Sequence, residues 1–560
     1  MTRHWKNLAL LLVYALAAIA ILWPGVSAPN SAVPGGSNTD LWNGLWSLDY
    51  ARDALLSARA PWNVDCLAFQ GPLGPDGGSL APIDPLAVLW FIPLGAFGIP
   101  FAYNVLIVLR LALAGVLAHR FAEEFSRAHG LAERPSFWGA SIAGLTMAMA
   151  PVLIAGVHNG TTEAANATGL IFAVWMGWRF AREPGTKNAC WAAIGLFWAS
   201  LTSWYVAVLV FCFAGFVALF QARGVPVMKR WRPVVWGLLA IAPWLILVLS
   251  TLSSGDANLS SHSFDLALET PAHTDNFAAS GWSGWFSTEG SRAVATTVNM
   301  PGEGFFHNSH VPWVLWIAAF LAGRALWRKE KALVALLGCS FVLSLGASSV
   351  IGPLRVPMPY GALKALPGFS QLGLPFRFSI AGVLVIALLA SHFTAKKGLK
   401  WGVPIGVLTV LQLFCLSPID SGVPAQGLAR PASVIALERQ PAGAAVHVPA
   451  TAYQRLYFQR LHKKKLTASL NQPSSPLDEV FWDAVRVFRQ KTVGRQKQSP
   501  EVMALREELV KEFERIGIRY LLVESGITKS RRDLVRQTID AHFDTLSVSD
   551  RDPVKVYVLW

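Results

Sequence analysis

Lys and Arg crowd nearly every second connection between the apolar runs of this chain and are sparse in the alternate ones. A hydrocarbon core about 30 Å thick requires roughly 20 apolar residues per helical crossing. About eleven such runs recur between Leu8 and Ser417 on that length rule. With Arg3 and Lys6 in the cytoplasm, the connections expected inside carry Arg127 and Arg134, then Arg179, Arg182 and Lys187, then Arg223, Lys229, Arg230 and Arg232. Arg324, Arg328, Lys329 and Lys331 follow, and then Lys396, Lys397 and Lys400. The outer connections hold Arg52 and Arg59 in a long first loop, Arg292 in another, and Arg355 and Lys364 before Phe376, with none between Gly156 and Ala165. The positive-inside rule therefore predicts a polytopic α-helical membrane protein, N-in and C-out.

The alternation depends on residues 85–99. Counting them as a crossing would place the Arg127/Arg134 loop outside, so they are read as a re-entrant or interfacial piece broken by Pro85, Pro93 and Pro100. The expected spans are then about 7–24, 103–121, 137–155, 165–181, 188–202, 204–222, 233–252, 310–327, 332–350, 377–393 and 401–417. The first equally suits a signal peptide or a retained anchor. The expected domains are a transmembrane domain over 1–417, including outer loops 25–84 and 253–309, and an extracytoplasmic α/β domain over 418–560. In the tail, Ala444–Val448, Arg519–Val523 and Val554–Leu559 have strand character and Leu505–Ile516 has helical amphipathicity.

A net charge of +14 admits nucleic acid as a partner, but the charge lies in short loops beside spans, so orientation explains it and no nucleic acid is expected. Four cysteines fall in spans and only Cys66 lies in an outer loop, which leaves no evident disulfide. The polar segments all fall on the outer side, where the working surface is expected.

Three features there carry chemistry. Asp40 precedes a helical stretch with Leu41, Leu45, Leu48 and Leu55 at helical spacing and Trp42 and Trp46 nearby. That pattern predicts a helix lying on the membrane with Asp49 and Asp53 toward water, and it leaves Asp40 as a general base, an N-cap, or both. His158 and Glu163 bracket a polar turn between two apolar helices, either as part of a site or as a capped turn. Arg377 opens a late span at outer headgroup depth, where a guanidinium either snorkels or holds a phosphate; Arg355 and Lys364 lie in the same loop. Trp282, Trp285, Phe286, Phe305 and Phe306 suit the interface or a sugar ring, and His307 with His310 is a weak metal signal without a third ligand.

The order of these parts resembles the GT-C glycosyltransferase superfamily, and within it the YfhO-like bacterial membrane branch. The resemblance lies in Asp40 of the first loop, Asp84-Pro85, the Gly156/His158 turn, Pro375-Phe376-Arg377-Phe378, and the tail stretches Tyr457–Lys465 and Ile516–Val523. His462-Lys463-Lys464 stands where the branch often has His-Gly-Lys, and a single Asp40 stands where paired carboxylates are common, which argues against a metal-dependent mechanism.

The resemblance implies transfer of a sugar, with inversion, from a polyprenyl-phosphate donor to a glycan, lipid or protein acceptor at the outer face of the bacterial cytoplasmic membrane. Asp40 would be the catalytic base, and Asp49, Asp53, His158, Glu163, Arg355 and Arg377 would bind substrate. No cofactor or metal is expected, a divalent cation being admissible but not indicated. A transporter or flippase, or a non-catalytic envelope assembly protein, remains the alternative.

Overall fold

The structure is a computed structural model that describes residues 3–36, 39–61, 63–64, 66–67, 78–79, 84–221, 226–253, 310–345, 348–351, 354–363, 375–415, 422–428, 430–448, 454–467, 476–496, 498–524, 529–546 and 554–560. The aromatic and histidine cluster expected in loop 253–309, except His310, and Lys364 lie outside the described residues. Two compact units emerge, one from Met1–Leu41, Ile83–Ser250 and Ser260–Gly427, the other from Trp42–Pro82, Thr251–Leu259 and Leu428–Trp560.

In the first unit each apolar run expected to span contains a helix. The helices are Arg3–Leu22, Ile99–Ala128, Glu133–Ala148 with Pro151–His158, Thr168–Arg182, Thr186–Thr202, Trp204–Phe216, Arg232–Ser253, Trp313–Leu326, Lys331–Ser344, Ser379–Lys397 and Leu399–Cys415. Among the described residues, His4–Leu22, Ile99–Ala128, Glu133–His158 and Pro375–Lys397 are long and apolar enough to cross a membrane. Several runs depart from a single straight helix, Trp204–Phe216 for instance passing into a π-helix over Val217–Gln221. Residues 137–155 break at Met149–Ala150, where Pro151 starts a new helix; the run expected to reach 350 ends at Ser344, and Ser348–Ile351 instead pairs antiparallel with Leu354–Pro357. A run of Ser, Val and Ile ahead of Gly352-Pro353 fits a hairpin better than a helix.

Pro85–Leu94 is a helix of ten residues, about 15 Å long at 1.5 Å per residue and thus well short of the bilayer. Asp84 caps it, its Oδ1 accepting the Ala87 N–H at 2.9 Å.

Several helices carry large apolar side chains on their outward face. Leu8, Leu12, Leu16 and Ile19 form one exposed stripe, and Val403, Val407, Leu411 and Phe414 form another. In water the outward stripe would be polar; apolar residues at i, i+4, i+8 and i+11 pointing away from the protein suit lipid. This is a helical membrane protein.

Polar and charged side chains meet at the helix ends. At one end Lys6 meets Glu133 at 3.9 Å, Arg179 pairs with Glu124, and His129 and Arg182 reach Glu330. At the other end Asn104 donates to the Ala32 carbonyl at 2.8 Å, and Ala32–Pro34 pairs with Ala425–Gly427.

The second unit holds a five-stranded mixed sheet in the order Asp544–Thr545, Val554–Val558, Ile518–Glu524, Ala444–Val448, Lys465–Leu466, antiparallel at its first two pairings and parallel at its last two. All five positions of Ala444–Val448 are buried, as expected of a strand covered on both faces. Val446 and Val448 join Phe481, Val485, Leu509 and Phe513 in one core, contributed by the helices Pro476–Thr492 and Pro500–Ile516. His447, one position out of phase, stacks instead on Phe458 of the helix Arg455–His462.

The helix Leu41–Leu56 corrects the expectation of a membrane-surface helix. Trp42 and Trp46 are fully buried, and Trp46 Nε1 donates to Gln459 Oε1 at 3.0 Å, so the apolar face is covered by protein.

Candidate functional site

The residues between His158 and Thr168 form the hub of the first unit's polar network. His158 ends a short buried helix, and its carbonyl accepts the Gly36 N–H at 2.7 Å. Gly160 has φ +71, and a Cβ there would lie 2.0 Å from Leu41 Cα, so only glycine allows both the backbone conformation and the approach of the first loop. Gly36 likewise leaves no room for a Cβ between Thr39 and the His158 ring. Asp40, half-buried, therefore sits in a segment whose flanking residues pack on the His158–Gly160 turn. It immediately precedes the helix beginning at Leu41, which is the N-cap position.

Two buried ion pairs flank this hub. Glu163 Oε1 lies 3.1 Å from Arg377 Nη1, with side chains 13% and 10% exposed. Arg377 belongs to the 3-10 turn Pro375–Phe378 that leads into a 19-residue helix, an N-terminal location where the helix dipole opposes a cation and favours an anion. Glu163 offsets that unfavourable position, and the Tyr205 ring lies 5.3 Å below the guanidinium. The Nε of Arg377 is buried and has no hydrogen-bond partner among the described residues. A buried guanidinium with a donor to spare is poised for an oxyanion.

The second pair is Arg110 and Asp84, 2.7 Å apart and almost wholly buried. Arg110 also donates to the Thr162 carbonyl at 2.9 Å, which ties the capped helix at Asp84 to the hub beside Glu163. The sequence reading missed Arg110, although an Arg amid the apolar run 103–121 is itself the signal of a buried polar site. Tyr205 carried no signal separable from an ordinary interfacial aromatic.

Asp49 and Asp53 belong to the second unit, where Arg460 binds both: its Nε donates to Asp49 at 2.6 Å and its Nη2 to Asp53. Burial works against the Arg460 charge, but the carboxylates of Asp49 and then Asp53 hold its pKa above the ordinary value. Arg52 adds to the group, 3.5 Å from Asp53. Nearby, the tail motif does structural work. Gln459 Nε2 donates to the Lys464 carbonyl, His462 Nδ1 accepts the Lys464 N–H at 2.9 Å, and Lys464 Nζ donates to the Glu438 and Gln440 carbonyls. Arg355 lies opposite Val350 in the Leu354–Pro357 strand; its side chain is outside the described residues. Among the described residues no group of three His, Cys, Asp or Glu side chains is placed to hold a metal.

No protein family matches the sequence, and no curated protein does. Solved structures do. The arabinofuranosyltransferase AftD from Mycobacteria aligns over 100% of this chain at a TM-score of 0.54 and 17% identity. The two share a fold. This chain spans 42% of that protein's length. The oligosaccharyltransferase of Archaeoglobus fulgidus, in its apo form, aligns over 93% of this chain and 70% of its own at 13% identity and a TM-score of 0.47. Both are GT-C glycosyltransferases. In this chain the polar hub and its two ion pairs lie toward one end of the apolar helices.

Proposed function

We propose that the chain is a membrane glycosyltransferase that moves a sugar from a polyprenyl-phosphate donor to a glycan, lipid or protein acceptor of the cell envelope, on the outer face of a bacterial cytoplasmic membrane. The YfhO-like branch of the GT-C superfamily is the assignment that fits its motifs. The observation that carries this reading is the half-satisfied guanidinium of Arg377, anchored by Glu163 in the same turn that receives the Asp40 segment.

In this reaction the acceptor hydroxyl oxygen attacks the anomeric carbon as the bond from that carbon to the phosphate oxygen breaks from the opposite face, so configuration inverts. Asp40 takes the hydroxyl proton. Arg377 stabilises the charge collecting on the departing polyprenyl phosphate, helped by the N-terminus of its helix. His158 binds the sugar, and Arg355 the donor. The residues supply base and phosphate ligand; no cofactor is invoked, and a divalent cation is admissible but not indicated.

The test is Asp40→Asn in membranes that make the glycan. Loss of a proton-accepting carboxylate is expected to lower turnover on the order of 10²–10⁴-fold with normal protein level. Full activity would remove Asp40 as the base, while transport of intact substrate indifferent to Asp40 would favour a flippase.

A further inference from the structure

At the end of the helices remote from Arg377, a cavity of about 490 Å³ opens between the Ile99–Ala128, Thr168–Arg182 and Lys331–Ser344 helices. Arg182, Arg328, Lys329 and Lys331 line it, four cations against the single carboxylate of Glu330. That carboxylate is 2% exposed and fixed: Trp178 Nε1 donates to it at 3.0 Å, His129 Nε2 lies 3.1 Å away, and Arg182 Nη1 lies 3.5 Å away. Arg328, Lys329 and Lys331 are exposed, and Phe220 adds an apolar wall.

The positive-inside rule accounts for basic residues in this loop but requires no cavity. Here a buried acid pins His129 and Arg182 in place, so the surplus positive charge surrounds a defined volume. That volume lies within the range of small-ligand sites. A basic hollow between helix ends, with an aromatic wall, matches a phosphate group bearing an apolar tail.

We propose that this pocket binds a phosphate-bearing group, most simply the headgroup of an anionic membrane lipid, at the face opposite the transferase site. The assignment needs the chain to lie in a bilayer and is independent of glycosyl transfer.

The experiment uses the full chain purified in detergent and stripped of lipid, with thermal unfolding as the readout. Phosphatidylglycerol is expected to raise the midpoint by a few degrees while phosphatidylcholine does not, since a ligand bound only by the folded state stabilises it. The triple substitution Arg328→Gln, Lys329→Gln, Lys331→Gln is expected to lose most of that shift. Inorganic phosphate giving the same shift without lipid would support the anion site and assign it to a soluble phosphate. Equal stabilisation by phosphatidylcholine, or an undiminished phosphatidylglycerol shift in the triple variant, overturns the proposal. If the variant fails to fold, the comparison of the two lipids on the unaltered chain decides.

Discussion

Glu163 and Arg377, 214 residues apart in the chain, meet at 3.1 Å with both side chains about nine-tenths buried. Removing one partner of such a pair strands a charge, whereas removing both removes the demand for pairing. Glu163→Ala and Arg377→Met should each lower stability by roughly 3 kcal/mol, and the double variant by much less than the sum. Unfolding midpoints in detergent test this; additive losses would mean that the two side chains are energetically independent.

Gly160 predicts a contrast with another left-handed glycine. Gly160→Ala meets backbone atoms of Leu41 near 2 Å, but a Cβ at Gly130, φ +84, meets nothing within 4 Å. Gly130→Ala should cost only the left-handed strain, about 1 kcal/mol. Gly160→Ala should also push away the Asp40 segment, cutting the proposed transferase activity about as deeply as Asp40→Asn. Comparable activity in the two alanine variants would show that the first loop does not depend on this approach.

How much of this was legible depended on the range of the interaction. The apolar runs, the short piece at Pro85, and the strands at Ala444–Val448 and Ile518–Glu524 rest on local periodicity, which a sequence displays directly. Glu163 and Arg377 stood out as ionisable residues beside apolar runs, but their pairing did not. Arg110 was visible by the same rule and was overlooked. The helix at Leu41 was misplaced because Trp and Leu at helical spacing suit lipid and a protein partner equally, and that partner, Arg455–His462, lies some 400 residues onward, a separation like the 411 between Asp49 and Arg460. Periodicity reports that a face is apolar and is silent about what covers it.

Lys463 has φ +60, the conformation glycine adopts without penalty, at the position where the resembling branch often carries Gly. Lys463→Gly should therefore stabilise the protein by about 0.5–1 kcal/mol, raising the unfolding midpoint without altering activity. A lowered midpoint would show that the lysine side chain matters more than the backbone strain.

His462 makes stability depend on pH. Burial pushes its imidazole down to about 3, and His447, Lys464 and Lys463 act in the same direction. The unfolded chain takes up a proton near pH 6.5 while the folded chain does not, so the contribution is complete above 6.5. It is lost at about 1.4 kcal/mol per pH unit as pH falls toward 3. Unfolding midpoints at pH 7.5 and 5 should differ for the native chain, and His462→Gln should narrow the gap; an unchanged gap would place the sensitivity in another group.

The clasp of Arg460 on Asp49 and Asp53 also orders events during biosynthesis. The helix at Leu41 leaves the ribosome early, yet its tryptophans gain cover only when the chain past Arg460 has been made. For most of translation the indoles of that segment lack this cover, so an interruption upstream of residue 455 would leave a sticky, protease-sensitive stub.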